Sequence, residues 1–326
     1  MNIVVYKTHE IDDKTWNAIT EGFNESFDRS KTAKEFKAYY CNTILGYSYH
    51  ALAFNEIGEI LAGSTTIFPF YYLVNGKHEL FGTSGGTFVK KAFRSDIFIY
   101  KDMVEALRVY CQQDKMRVIY GVSNKNSFRY AIRILEVTHL MDLDYYALPV
   151  RLGCILKTRW QPLINFASIL FCFSLAFLNR IISYFINYKA AQSKVSIDFN
   201  DALIKTRFKS GYIVINDEKY FIAYKVIIED GIRTIYLMEY RESGIRSYRA
   251  LSKAIIKILK HEKADIILFI GTIHHKQLGL FKIPVSRQPK RLPLTYEIVG
   301  QSSDSFKTII ADHKNWDFSL VNFDVR

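Results

Sequence analysis

The residues best suited to chemistry lie in a basic turn between an apolar strand and a helix. The stretch 80–89 leads into Lys90-Lys91-Ala92-Phe93-Arg94-Ser95-Asp96-Ile97-Phe98, and a helical pattern follows to about residue 114. A turn that opens a helix presents backbone N–H groups at the positive end of the helix dipole, where phosphate oxygens bind. The guanidinium of Arg94 adds a charged donor. The turn therefore predicts a site for a phosphorylated cofactor.

Several other elements must position this turn. A second strand is expected over 117–123, and the polar corner 124–127 opens a further helix that carries Tyr130. Upstream, the alternating pattern predicts an antiparallel meander with strands over 49–54, 60–74 and 78–89. Asn75-Gly76 is a strong hairpin signal between the last two strands. The order of strand, turn, helix, parallel strand and helix favours an enzyme with a splayed sheet.

Composition and cysteine spacing limit the class of protein. A length of 326 residues allows two domains, and a chain that is 49% hydrophobic and 23% charged is typical of a globular protein. The cysteines lie far apart, with no CxxC pair, at Cys41, Cys111, Cys154 and Cys172. This spacing argues against a zinc site or a disulfide framework and is consistent with a reducing compartment. We therefore expect no metal and a cytoplasmic location.

The net charge of +12 lies entirely in the second half of the chain. Residues 1–150 hold 17 of the 44 Lys and Arg and 17 of the 32 Asp and Glu, so they are balanced. Residues 151–326 therefore carry the whole excess, which predicts an anionic partner. The sequence contains no helix-turn-helix, zinc-finger or RNP-type motif, so a nucleic-acid partner is not expected. An anionic membrane surface and an anionic substrate remain as partners.

An apolar segment over 160–188 separates the two halves. No charged residue occurs from Trp160 to Asn179, and a small or polar residue recurs at steps of three and four from Asn165 to Asn187. This spacing predicts one helix with a small, polar seam along one face. Three interpretations remain open: a helix packed between two domains, a helix lying in the membrane interface, and a transmembrane span.

Three blocks follow from these patterns: 1–150, an apolar linker over 151–194, and 195–326. The last block repeats the plan of the first, with a meander, the basic turn Arg241–Arg246, a helix to about His261 and a strand over 265–270. A short helix is expected through Leu280. Two copies of one plan predict a duplicated domain.

With these residues, the chain resembles the GNAT superfamily of acyl-CoA-dependent N-acetyltransferases, and within it the two-domain bacterial members found among polysaccharide-building enzymes. In that family, a strand with a hydrophobic end is followed by a turn of the type Arg/Gln-x-x-Gly-x-Gly/Ala. Phe88-Val89 matches the strand end, and Phe93–Phe98 matches the turn. The chain departs from the pattern where it has Ser95, Asp96 and Ile97, because the family has glycines there.

The resemblance implies an α+β fold of two tandem GNAT-like domains, each a mostly antiparallel, splayed sheet flanked by helices, with the apolar helix joining them. It implies acetyl-CoA or another acyl-CoA as co-substrate, bound by the N-terminal domain. The second copy is expected to shape the acceptor site instead. The coenzyme-binding residues carried over from the family pattern are Phe88, Val89, Arg94, Ser95, Asp96, Ile97, Phe98 and Asn126.

Acyl transfer from a thioester to an amine needs an oxyanion donor, a base and a proton source for the thiolate. The backbone N–H of Val89 is the expected oxyanion donor, and the resemblance implies Tyr130 as the acid. Glu79 and Ser84 are the candidates for the remaining catalytic role. They have opposite parity on their strand, so they take opposite faces, and which face meets the pocket stays open.

The sequence therefore favours an N-acyltransferase whose acceptor is an amine on a small or glycolipid-linked molecule, such as an amino sugar in cell-surface polysaccharide synthesis. From the apolar segment and the basic second half, we also expect the protein to attach peripherally to the inner face of the membrane. Two other functions remain open. One is a non-catalytic, membrane-apposed binding protein with a decayed GNAT fold, and the other is an aminoacyl-tRNA-dependent transferase of the peptidoglycan type.

Overall fold

The computed structural model describes residues 1–185, 193–209, 211–275 and 277–323, apart from the side chains of Lys125 and Asn126. The chain divides into two compact units, each assembled from three segments. Unit 1 consists of Met1–Asp142, Lys194–Arg207 and Leu292–Asn315. Unit 2 consists of the described residues of Leu143–Ser193, Phe208–Arg291 and Trp316–Arg326.

Strands and helices are numbered along the whole chain. The strands are β1 (Asn2–Lys7), β2 (Tyr49–Phe54), β3 (Leu61–Val74), β4 (Lys77–Val89), β5 (Val118–Val122), β6 (Thr138–Asp142), β7 (Asp144–Pro149), β8 (Val195–Ile197), β9 (Ile213–Asn216), β10 (Tyr220–Glu229), β11 (Ile232–Glu242), β12 (Ile266–Gly271), β13 (Phe281–Lys282), β14 (Pro293–Ile298) and β15 (Trp316–Asp317). The helices are α1 (Asp13–Phe27), α2 (Ala33–Cys41), α3 (Ile99–Gln113), α4 (Lys125–Arg133), α5 (Leu152–Leu156), α6 (Gln161–Phe185), α7 (Asp201–Arg207), α8 (Tyr248–His261) and α9 (Asp304–Ala311).

Unit 1 is built on a sheet with the order β1-β2-β3-β4-β5-β14-β6, in which β4 and β5 are parallel and the other neighbours antiparallel. The predicted meander is confirmed as β2, β3 and β4. Its second corner is the two-residue turn Asn75-Gly76, with φ values of 48° and 78°. Positive φ at both positions is the requirement of a type I′ hairpin, and Asn-Gly meets it with little strain.

Helices cover the sheet of unit 1. The apolar face of α3, with Met103, Leu107 and Cys111, lies in one buried cluster with residues of β2 and β5. Trp16 of α1 and Tyr40 of α2 lie in another buried cluster. Between β1 and β2 the chain forms two helices, because α1 ends at Phe27 and a Thr32–Glu35 capping box begins α2.

Unit 2 is built on a sheet with the order β13-β7-β12-β11-β10-β9. Here β11 and β12 are parallel, and the other neighbours are antiparallel. Helix α8 follows β11 and is capped at its N-terminus by Ser247, whose hydroxyl accepts a hydrogen bond from the Ala250 N–H. Meander, turn, helix and parallel strand thus occur in the same order in both units. The α+β class and the mostly antiparallel, splayed sheets expected from the sequence are confirmed.

The units are interleaved, unlike the consecutive stretches 1–150, 151–194 and 195–326 predicted from the sequence. β6 and β7 follow each other directly in the sequence, but they are separate strands in different sheets. β14, far along the chain, lies between β5 and β6 in unit 1, and β7 pairs with β12 in unit 2. Each sheet therefore contains a strand from the other half of the sequence.

The apolar segment forms one continuous helix, α6, within unit 2. Its predicted seam of small and polar residues is the buried face, with Cys172, Ala176, Asn179 and Ser183 all buried. The seam packs on α8 and on the backbone near residue 150, where the Ser168 hydroxyl donates to the Val150 carbonyl at 2.8 Å. Asn187, the last predicted residue of the seam, lies outside the described residues.

The short helix expected through Leu280 was wrong. From Thr272 to Leu280 the described residues, which omit Lys276, contain no helix. The Thr272 N–H donates instead to the Phe318 carbonyl at 2.8 Å. His274 Nε2 lies 2.6 Å from the Trp316 carbonyl oxygen. These contacts hold the start of the segment against the C-terminal residues of unit 2.

Candidate active site

The two parallel strands of unit 1 separate before β4 ends. Their pairing runs from Phe81–Val118 to Thr83–Tyr120, whereas β4 continues to Val89. Beyond that point, the described residues of the two strands do not pair with each other. Backbone groups on the facing edges are therefore left for a ligand to satisfy. This gap is the splay that the sequence predicted between the two strands.

A β-bulge bends the end of β4. The register with β3 shifts between Ser64 and Thr66, and Gly86 of β4 has a φ of +61°. A Cβ atom at Gly86 would lie 2.4 Å from the Tyr40 hydroxyl oxygen. Both the left-handed backbone and the close contact require glycine. Bulges increase the local twist and redirect the strand.

The bulged strand ends with an amide that faces the gap. The Lys90 N–H donates to the Ala62 carbonyl at 2.8 Å, so Val89 and Gly63 form a non-hydrogen-bonded antiparallel pair. The N–H and C=O of Val89 therefore point away from β3. The carbonyl accepts a hydrogen bond from Arg94 Nε at 2.8 Å. The N–H points away from β3 into the gap, and its role as the oxyanion donor stays a prediction.

The turn after β4 is exposed and retains free amides. In the part of the chain that the structure describes, neither the Ser95 N–H nor the Ile97 N–H has a hydrogen-bond partner. The side chains of Ile97 and Phe98 are 55% and 52% exposed. Because these side chains point into solvent, they do not fill the corner. The amides are accessible to a diphosphate, which is the fit that an acyl-CoA co-substrate requires.

Asp96 satisfies one amide of this turn with its own side chain. Its Oδ1 accepts a hydrogen bond from the Phe98 N–H at 3.0 Å, at the start of α3. The carboxylate also places a negative charge where the phosphates of a coenzyme would bind. Arg94, which is exposed in the same turn, offers the opposite charge. The two side chains therefore have opposing effects on an anionic ligand.

Tyr130 lies against the turn and not in the cavity between the strands. Its hydroxyl donates to the Ile97 carbonyl at 2.5 Å, and its ring centroid lies 5.2 Å from that of Tyr100. Burial raises the pKa of Tyr130 above 10.0. To protonate a thiolate, Tyr130 would have to release Ile97 first. In this structure Tyr130 contacts the turn through Ile97, and its role as the acid stays a prediction.

A cavity of about 60 Å³ lies between β4, β5, α3, α4 and β14. Ser84 lines it, so the open question of strand parity is answered in favour of the face that carries Ser84. The other polar residues around the cavity are Thr65, Tyr100, Tyr120, Ser123, Ser127, Thr295, Tyr296 and Glu297. The cavity is small, mixed in polarity and adjacent to the gap, which suits the reacting end of a thioester.

Glu297 supplies a carboxylate to this cavity from β14. Burial raises its pKa above 4.5, and this effect outweighs the lowering by Arg108, whose Nη2 lies 2.5 Å from Oε2. Arg108 also donates to the Leu135 carbonyl at 2.8 Å, which fixes the guanidinium. A carboxylate with a raised pKa is a stronger base than one in water.

The side chains of two predicted residues, Glu79 and Phe88, do not line the cavity. Glu79 lies near the start of β4, with Oε2 4.0 Å from Arg117 Nε. Phe88 belongs to the buried cluster of α1 and α2, and its backbone pairs with Ser64 of β3, so neither its side chain nor its backbone faces the gap. The side chain of Asn126 lies outside the described residues. Helix α4 begins at Lys125, so Asn126 lies inside it, and the Asn124 Oδ1 accepts from the Ser127 N–H at 3.0 Å.

The equivalent turn of unit 2 has no cations available for phosphate. Arg241 and Arg246 point inward and surround Glu239, which is fully buried. Arg246 Nε lies 2.6 Å from Glu239 Oε1, and its Nη1 lies 2.6 Å from Asp317 Oδ1. Burial alone would raise the pKa of Glu239, but the two guanidinium groups lower it. A buried pair of this kind is structural, because breaking it leaves an uncompensated charge.

Sequence reasoning missed Tyr100, Tyr120 and Glu297. The first two had a local signal, because Tyr100 lies two residues after the basic turn and Tyr120 lies within the strand predicted over 117–123. Glu297 had none. It reaches the cavity only because β14 pairs with β5, with Glu297 opposite Ile119.

No protein-family model matches the sequence, and no curated protein matches it significantly. Solved structures do match. A protein of unknown function from Enterococcus faecalis, described as a probable N-acyltransferase, is 12% identical with a TM-score of 0.56, over 91% of this chain and 72% of that chain. A GCN5-related N-acetyltransferase from Anabaena variabilis is 9% identical with a TM-score of 0.57, over 92% and 73%.

A GCN5-related N-acetyltransferase from Kribbella flavida is similar to the same degree, at 10% identity and a TM-score of 0.56, over 91% of this chain and 72% of that chain. These names favour neither the binding-protein nor the aminoacyl-tRNA alternative. At such low identity, the similarity concerns the arrangement of strands and helices. The chain therefore has the fold of the GCN5-related N-acetyltransferases.

Proposed function

We propose that this protein is an N-acyltransferase that moves an acetyl or other acyl group from acyl-CoA to an amine. The observation that carries the proposal is the gap between β4 and β5 beyond Thr83 and Tyr120, which opens beside an exposed turn with free amides. The thioester of the coenzyme supplies an already activated acyl group. The chain has only to bind, orient and move protons.

In this proposal each group has one task. The Ser95 and Ile97 amides, the start of α3 and Arg94 bind the diphosphate. The Val89 N–H donates to the thioester oxygen as negative charge develops there. Glu297 takes the proton from the attacking amine, since it lines the cavity and has a raised pKa.

The thiolate that leaves needs a proton. Tyr130 was expected to give it, and Tyr100 is a second donor because it lines the cavity itself. Burial raises the pKa of Tyr100 above 10.0, which keeps the phenol protonated. Ser84 takes a place in the cavity wall, and Glu79 takes no part in the proposed chemistry.

The proposed acceptor is an amine on a small or glycolipid-linked molecule, such as an amino sugar used in cell-surface polysaccharides. Support comes from the positive excess of residues 151–326, which suits an acceptor that carries acidic groups. The proposed location is cytoplasmic, with peripheral attachment to the inner membrane face.

Thermal unfolding with acetyl-CoA tests coenzyme binding. At concentrations far above its Kd, acetyl-CoA is expected to raise the Tm, because it binds only the folded state. Arg94→Gln is expected to weaken binding by about tenfold, the loss of one charge-assisted contact. The matched control is Arg29→Gln, since Arg29 is exposed on a loop after α1, outside this site. An unchanged Tm at millimolar acetyl-CoA would reject the proposal.

Turnover is measured by the release of free thiol from acetyl-CoA. The assay is run over a panel of amines that contains amino sugars, diamines and lysine. Thiol release that depends on one class of amine identifies the acceptor class. The acylated amine, detected by mass spectrometry, separates transfer from simple hydrolysis of the thioester.

A further inference from the structure

Helix α6 presents an apolar face to solvent. Its 25 residues correspond to a length of about 37 Å. It is the one helix in the described part of the chain that is long and apolar enough to cross a membrane. Only 22% of its most apolar 18-residue stretch is buried. The large apolar side chains exposed on it are Leu163, Phe166, Leu170, Phe171, Phe173, Phe177, Leu178, Ile181 and Phe185.

The polarity of α6 is the reverse of that of a helix on a soluble protein. Its inward face carries the small and polar seam, and Asn179 there accepts a hydrogen bond from the Tyr248 hydroxyl. Its outward face carries Leu, Ile and Phe. A continuous apolar face of this extent in water is unfavourable and marks an interaction surface.

A basic cavity of about 420 Å³ adjoins the C-terminal half of α6. It lies between α6 and α8, and none of the described residues that line it is acidic. Five cationic side chains, one from α6 and four from one face of α8, surround it, at Arg180, Arg249, Lys253, Lys257 and Lys260.

Three of these cations have no carboxylate partner. Arg249 pairs with Glu242 at 3.3 Å, and Lys253 pairs with Asp217 at 2.9 Å. Arg180, Lys257 and Lys260 form no ion pair within the described residues. Their charges are therefore free to bind an anion from outside the chain.

We propose that unit 2 docks on a bilayer that contains anionic phospholipids, with α6 lying in the plane of the interface and a lipid phosphate group in the cavity lined by Arg180, Lys257 and Lys260. A helix in this position usually carries several Lys and Arg along its own polar face, whereas α6 carries only Arg180. The tertiary structure supplies them from α8. The apolar face and the cations thus lie side by side, as the acyl and headgroup layers of a bilayer do.

The contacts of the seam favour an in-plane helix over a span. Ser168, Cys172 and Asn179 are engaged with the body of unit 2, so insertion across the bilayer would break these contacts. Aromatic side chains at both ends, Trp160 and Tyr184, suit the interfacial zone. The inference is independent of the proposed acyl transfer and concerns a different surface.

Flotation of the full-length protein with lipid vesicles tests the inference. Wild type is expected to float with vesicles of 70% phosphatidylcholine and 30% phosphatidylglycerol, and poorly with phosphatidylcholine alone. The triple variant Arg180→Gln, Lys257→Gln, Lys260→Gln is expected to lose about a hundredfold in partition, because each cation near an anionic surface contributes about tenfold or less. Its matched control is Lys14→Gln, Lys31→Gln, Lys34→Gln, three exposed lysines of unit 1.

A second variant, Leu170→Gln with Phe177→Gln, tests the contribution of the exposed apolar face of α6 to flotation. Both side chains are mostly exposed, so folding is expected to be unaffected, as judged by Tm, while flotation is lost. Protein that stays at the bottom with anionic vesicles overturns the inference. Equal flotation of the cation triple variant and its control also overturns it. A wild-type dimer in light scattering that Phe177→Gln dissociates would show that a second copy covers the face instead.

Discussion

Ser84 and Gly121 face each other across the gap between β4 and β5, and they fit because one of them has no side chain. A Cβ atom added to Gly121 would lie 2.4 Å from the Ser84 Oγ. The next nearest atom, the Ser84 Cβ, would be 3.7 Å away, which is ordinary contact. The Ser84 hydroxyl therefore fits into the cavity wall only because position 121 has no side chain.

Gly121→Ala is expected to destabilise the protein by about 1–3 kcal/mol, the usual cost of overpacking, and to weaken acetyl-CoA binding. The double variant Ser84→Ala, Gly121→Ala removes the clashing oxygen and is expected to recover most of the stability. Urea unfolding of the two single variants and the double variant measures the coupling. Additive effects would show that Ser84 and Gly121 do not meet in solution.

Asp96→Asn is expected to tighten acetyl-CoA binding by about twofold to fivefold, the effect of one charge at a helix start. Asparagine still offers an oxygen to the Phe98 N–H, so the turn keeps its hydrogen bond while it loses the negative charge. Isothermal titration calorimetry at low salt measures the Kd. Glu25→Gln, an exposed change on α1, controls for net charge. Weaker binding in Asp96→Asn would mean that the carboxylate helps to hold the ligand.

Glu297→Gln is expected to lower kcat by a factor of about 10² to 10⁴, because a general base is lost. In wild type, activity should fall as the pH falls through the raised pKa of Glu297, since only the carboxylate accepts a proton. That acid limb should disappear in the variant, while the Tm shift with acetyl-CoA remains. Glu79→Gln is the comparison, and a loss confined to it would return the role of base to Glu79.

Tyr130→Phe separates two roles for this tyrosine. If its hydroxyl only holds the turn through the Ile97 carbonyl, KM for acetyl-CoA rises about tenfold or less, the usual value of one hydrogen bond, and kcat is retained. If it donates the proton to the thiolate, kcat falls and the basic limb of the pH profile changes. Tyr100→Phe is measured in parallel. We expect the KM effect for Tyr130 and the kcat effect for Tyr100.

His50 is expected to make the protein sensitive to acid. Burial lowers its pKa to about 3, and the neutral ring bonds the hydroxyls of Thr8 and Thr66 at 3.0 and 3.1 Å. The unfolded chain binds a proton below the ordinary pKa of 6.5, whereas the folded chain does not. Stability is therefore lost as the pH falls from 6.5 toward 3, by about 1.4 kcal/mol per pH unit.

Urea unfolding between pH 6.5 and 4.5 measures this slope. His50→Gln is less stable throughout, but its free energy of unfolding should depend less on pH. His313→Gln, an exposed change, should keep the wild-type slope. If His50→Gln keeps the wild-type slope as well, His50 is accessible to protons in the folded protein.

Local patterns in the sequence were sufficient for the elements around the site. The alternation over 49–89 and the Asn75-Gly76 corner specify a hairpin, because side-chain period and turn chemistry act within a few residues. The same holds for the turn at 93–98, whose position between strand and helix is a local property. The seam of α6 was also visible, since steps of three and four define one helix face whatever packs on it.

Only the tertiary structure decided which distant residues meet these elements. No local feature of Glu297 indicates that β14 lies between β5 and β6, because the choice of a strand's neighbour depends on which sheet edge remains open after folding. Likewise, Arg241 and Arg246 resemble a phosphate-binding turn in sequence, but Glu239 and Asp317 draw them inward. The tertiary structure also decided that the small, polar seam of α6 is its buried face and that the apolar face is exposed. The spacing of residues in the sequence shows only which side chains lie on the same face of an element. Whether that face is buried depends on what packs against it in the folded molecule.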